Sequence, residues 1–114
     1  MNRELLRTIE KETWTELNSF HKVMGQTFHP SEEGNLKPIR LRSGEMADKA
    51  KTLQGGRIPP SFNTPEIKKS IDDLVTGSKV LHQLVLKKAD DKTVTKKLGD
   101  LHDTFHTIQG LCKH

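Results

Sequence analysis

The chain has 114 residues, of which 32% are hydrophobic and 30% charged, and its 19 basic and 15 acidic side chains give a formal charge of +4. That length suggests one domain, 1–114, and one cysteine excludes an internal disulfide. With no tyrosine, one tryptophan and four phenylalanines, stacking platforms for single-stranded nucleic acid are nearly absent, and no apolar run approaches the roughly 20 residues of a membrane span.

The first helical segment spans about 3–28. Leu6, Ile9, Thr13, Leu17, Phe20 and Met24 recur at three- and four-residue steps, with Trp14, His21 and Phe28 beside them. Pro30 disfavours helix at His29, and Gly34-Asn35 supplies turn chemistry, so this helix is predicted to stop near Phe28. The second segment spans about 36–54, with Pro38 in its first turn. Its inward stripe is Ser43, Met46, Ala47, Ala50 and Leu53, a face of mostly small residues that lets another helix come close.

"QGGRIPPSFNTPE" is the clearest break in the chain. Thr64 reads as an N-cap with Pro65 at the first helical position. The third helix spans about 65–88, with Ile67, Ile71, Leu74, Ser78, Leu81 and Val85 inward and Val75 and His82 on the flank. "KADDKT" is a short connection with Asp90 or Asp91 as cap. The fourth helix spans about 91–113, with Val94, Leu98, Leu101, Phe105, Ile108 and Cys112 inward. No segment alternates apolar and polar residues. The predicted fold is all-α, an antiparallel up-down-up-down four-helix bundle.

Histidine is the commonest metal ligand, and His102 and His106, four apart on one helix, can chelate one ion. Asp103 follows His102, so the glutamate of the H-E-x-x-H metalloprotease motif is missing. His21 on the first helix and His82 on the third lie at the border of the core. Bundle metal sites are built from side chains on facing helices in this manner. Counting a rise of ~1.5 Å per residue from the helix ends puts His21 level with His82, and Met46 level with His102. His106 lies deeper, near Trp14. Glu12 and Glu16 then come level with His106 and His102. The competing reading makes these histidines structural and the acids surface ion-pair partners.

His29, Glu32 and Glu33 form a second cluster, in the link after the first helix. It suits a divalent metal through imidazole and carboxylate, or simply a helix stop with Ser31 as cap. Met46 is a core filler, but its thioether beside His102 would suit copper or haem. Cys112 continues the core stripe, and His114 is terminal. The basic run "LKPIRLR", with Lys37, Arg40 and Arg42, is too sparse for a nucleic-acid footprint.

The helix lengths, the proline-rich link between helices two and three, and a histidine on the inner side of the last helix resemble the soluble b-type and c′-type four-helix-bundle cytochromes. "W-x-x-L-x-x-F-H-K-V-M-x-x-T-F-H-P" and "L-H-D-T-F-H-x-I" are also similar to small exported bacterial bundles that handle metals. The cytochrome resemblance implies haem b with His106 as axial ligand. Leu5 and Leu6 stand where the b-type methionine belongs, and "GLCKH" lacks the second cysteine of a c-type attachment. Two Glu-x-x-His motifs, the di-iron signature, are missing as well.

These readings converge on a non-enzymatic, transition-metal-binding bundle. His102, His106, His21 and His82 would hold zinc, copper or nickel, with His29, Glu33 and Met46 as possible additional ligands. The alternatives are a haem b carrier or sensor, and a helical interaction module with structural histidines. No nucleophile stands with a base at a recognisable spacing, and no phosphate loop is present. "MNRELLRTIEKE" is too polar for a signal peptide. The exported resemblance implies a mature protein of the bacterial periplasm or envelope, the cytoplasm being the alternative. The predicted partner is the metal ion, with no nucleic acid and no membrane insertion.

Overall fold

The computed structural model describes residues 14–112 of the chain. Among these residues there are four α-helices: α1 (Thr15–Glu32), α2 (Lys37–Gly55), α3 (Pro65–Leu86) and α4 (Asp91–Cys112). A short 3-10 turn, Pro60–Phe62, lies in the link between α2 and α3. No strand occurs among the described residues, and no described helix is long and apolar enough to cross a membrane.

The inward stripes follow the sequence periodicity closely. Leu17, Phe20, Met24, Met46, Ala50, Leu53, Ile67, Ile71, Leu74, Leu81, Val94, Leu98, Leu101, Phe105 and Ile108 are all buried in one core. Val85 is only partly buried against it. The expectations for Leu6, Ile9, Glu12, Thr13, His114 and the Cys112 side chain lie outside the described residues. Small residues let helices close up where predicted. Ser43 is buried on α2, and the His82 ring of α3 lies against Gly44, 3.2 Å from the site of a Cβ there.

Termini obey local hydrogen-bond chemistry. The Thr64 side chain accepts from the Ile67 amide at 3.2 Å, the predicted cap of α3. Of the two candidate aspartates at the start of α4, Asp90 is the cap, accepting from the Thr93 amide at 3.1 Å. Both α1 and α3 end in Schellman motifs. At α1, Asn35 N donates to Pro30 O and Gly34 N to Ser31 O, with Gly34 at φ 86°. At α3, Ala89 N donates to Leu84 O and Lys88 N to Val85 O, and Lys88 carries the positive φ of 59°.

α1 begins at Thr15; Trp14, at φ −100° and ψ 85°, stands outside its first turn, and the predicted start near residue 3 lies outside the described residues. The Trp14 ring stacks on Phe62 at 5.7 Å. At the other end the helix does not stop at Phe28 but runs through Pro30 to Glu32. Pro30 forfeits only one backbone bond, to the carbonyl of Gln26. The Schellman bonds and the Ser31 hydroxyl, donating to Phe28 O at 2.6 Å, close the extra turn. Ser31 thus works at the end of α1 and not as the cap of α2. The extension carries His29 onto the helix, two turns beyond His21.

Contacts run in opposite order along two of the neighbouring pairs. On α1 and α4, Phe28 meets His102 while His21 meets Phe105. Along α2 and α3, Ser43 meets His82 and Gln54 meets Asp72. The Arg40 guanidinium donates to Ala89 O at 2.8 Å and to Asp91 Oδ1 at 2.7 Å, tying α2 to the turn before α4. Two buried polar atoms, Trp14 Nε1 and Ser78 Oγ, have no hydrogen-bond partner among the described residues.

Candidate metal centre

Four of the six histidines gather at one place, the seam between α1 and α4. His21, Gly25 and His29 succeed one another at four-residue steps along α1, while His102 and His106 do so on α4. With Met24, Phe28, Phe105 and Gln109 they line a pocket of about 170 Å³. Gly25 keeps the space between His21 and His29 open, because it offers no side chain to fill it.

The rings are arranged by aromatic contact. His102 lies flat on Phe28, centroids 3.8 Å apart and planes 5° apart. His106 meets His102 edge to face at 4.3 Å. His21 packs on Phe105 at 5.0 Å, and Phe105 in turn packs on Phe20 at 5.7 Å, which anchors the pocket to the core. His29 Nδ1 sits 3.4 Å from Glu32 Oε1 on its own helix, a long and exposed pairing. If the ring holds its proton on Nδ1, the bond leaves Nε2 free to face the pocket, the arrangement outer carboxylates give to metal-binding histidines.

His102 is half-buried, whereas His21, His29 and His106 are exposed. Burial pushes the His102 imidazole below its usual range, and the neighbouring His106 and His29 push the same way. Asp103 and Glu32 oppose them but do not prevail. His102 is therefore neutral at neutral pH, with a lone pair on one nitrogen.

The other expected ligands lie elsewhere. His82 faces α2, where its Nδ1 is 2.9 Å from the Ser43 hydroxyl. The helix-depth count put it level with His21, but depth does not fix azimuth, and position 82 points to a different seam. Met46 is fully buried in the core and is not among the residues lining the pocket. Glu33 is exposed beyond the last turn of α1, and it is Glu32 that reaches His29. Glu16 lies against Gly56, away from His102 and His106. The two arginines of the basic run are satisfied within the chain: Arg40 by Asp91, and Arg42 by Glu45 and Gln26.

As the side chains stand, no three His, Cys, Asp or Glu groups among the described residues are close enough together to hold one ion. Coordination requires the exposed rings of His21, His29 and His106 to turn inward about their side-chain torsions. Sequence reasoning missed Gly25 and Gln109. The signal for Gly25 was the spacing His21-Gly25-His29, hidden because Pro30 argued for an earlier helix end. No protein-family model, no curated protein and no solved structure matches the chain, so its likeness to the four-helix cytochromes rests on layout alone.

Proposed function

We propose that this protein is a non-enzymatic helical bundle that binds a transition-metal ion through His21, His29, His102 and His106. The connectivity is read as up-down-up-down, in keeping with the opposed order of contacts along neighbouring helices. One observation carries the functional reading: two helices far apart in sequence each bring two histidines to one small pocket. Imidazole nitrogens suit zinc, copper and nickel, and metal–nitrogen bonds of about 2.0–2.1 Å fit a pocket of this size. His82 and Met46 leave the ligand set because they face other parts of the bundle.

Haem b receives less support. About 170 Å³ is small beside the roughly 300–1,000 Å³ of organic-ligand pockets, and Met46 is not positioned opposite His106. The reading with structural histidines has its own support in the Phe28–His102 stack and the Ser43–His82 bond.

The two are separated by isothermal titration of metal-stripped protein with zinc, copper and nickel. A saturable site that the double variant His102→Ala/His106→Ala abolishes, and that His82→Ala retains, is the expected result. Losing a ligand should cost more than the ~10–100-fold that outer-shell partners are worth. If none of the three ions binds saturably near neutral pH, the histidines are structural.

A further inference from the structure

The bundle's seams are held together in different ways. Arg42 of α1's neighbour α2 reaches Gln26, and α2 is joined to α3 by Ser43–His82 and Gln54–Asp72. Arg40 ties α2 to the start of α4. Among the described residues, no hydrogen bond or ion pair crosses from α1 to α4. Among the described residues, the backbones of these two helices also approach each other less closely than those of the other neighbouring pairs. What crosses their seam is ring packing, Phe20 and His21 on Phe105 and Phe28 on His102. The histidine pocket opens beside these rings, and His21, Phe28, His102 and Phe105 form part of its wall.

We infer that the ion, seated between the His21/His29 pair and the His102/His106 pair, is the polar tie this seam lacks, and that it clamps α1 onto the rest of the bundle. The inference rests on the metal-binding reading above and adds a consequence to it. Each pair alone is confined to one helix. An ion held by the α4 pair only would leave the docking of α1 unchanged. An ion held by both pairs must be released before α1 can separate, so binding free energy becomes docking free energy. The metal then sets how often α1 opens, which makes the order of this helix the protein's response to metal.

Hydrogen–deuterium exchange of the full chain, metal-stripped and zinc-loaded, tests this. With free zinc at about 100 times its dissociation constant, openings that undock α1 should become up to ~100-fold rarer. Amides of residues 15–32 should slow accordingly. The variant His21→Gln/His29→Gln removes the α1 ligands and keeps the α4 chelate; because His21 also packs on Phe105, its zinc-loaded exchange is compared with its own metal-free exchange. At zinc concentrations that saturate it, its α1 amides should exchange at the variant's own metal-free rate. Zinc binding to the native chain without slowing of α1 overturns the clamp and leaves the metal site standing. So does equal slowing in the variant. An absence of zinc binding removes both.

Discussion

Gly77 offers a sharp test of how α3 and α4 meet, and that contact fixes the helix bearing His102 and His106. A Cβ added at Gly77 would lie 2.7 Å from Leu101 Cδ2 and 3.4 Å from its Cγ. Ordinary carbon contacts begin near 3.5 Å, so Leu101 would have to retreat by about 1 Å. Leu101 is only 2% exposed, and its neighbours leave it little room. Gly99 is the internal control, because it is also a helix-interior glycine but has nothing within 4 Å of its added Cβ. Both Gly→Ala changes gain the same intrinsic helix preference, about 1 kcal/mol. That gain cancels in the difference, which leaves the overpacking cost of about 1–3 kcal/mol. Gly99→Ala should therefore be more stable than the parent, and Gly77→Ala less stable than Gly99→Ala by about 1–3 kcal/mol. In a chain of this size the two should melt at least about 4 °C apart. Urea and thermal unfolding of both variants measure it. Stabilities agreeing within about 0.5 kcal/mol would refute the close approach of the two helices at Gly77.

Two further outcomes follow from local chemistry. Phe28→Ala uncovers the His102 ring, so its pKa should rise toward the ordinary imidazole value of about 6.5, followed by NMR titration. In the parent the folded value is depressed, so the unfolded chain takes up this proton first. The His102 contribution to stability is full above about pH 6.5 and is lost as pH falls through the window below it; denaturant midpoints across that window should drop, and should drop less in Phe28→Ala. Lys88→Gly relieves a left-handed backbone worth about 1–2 kcal/mol against a chain-entropy cost of about 0.5–1 kcal/mol. The net gain of about 0.5–1 kcal/mol should appear in urea melts, and a loss would mean that Lys88 is not in that conformation.

Much of the architecture was legible in the sequence by itself. Apolar residues at three- and four-residue steps named the buried face of each helix, because a helix can bury only one stripe and that stripe must repeat with its turn. Thr64-Pro65 and the aspartates at the start of α4 marked helix starts through local hydrogen bonds that need no tertiary partner. The end of α1 was misread for a complementary reason. Pro30 disfavours helix locally, but a Schellman closure around Gly34 and the Ser31 hydroxyl outweighs one lost bond. The His102/His106 pair was visible as a spacing, whereas Pro30 argued His29 off the helix and hid its pairing with His21. Which histidines share a pocket was decided only by the rotation of each helix about its axis. That rotation is set by core packing, and it turned His82 toward Ser43 and Met46 into the interior while His21 and His29 came to line one pocket with His102 and His106.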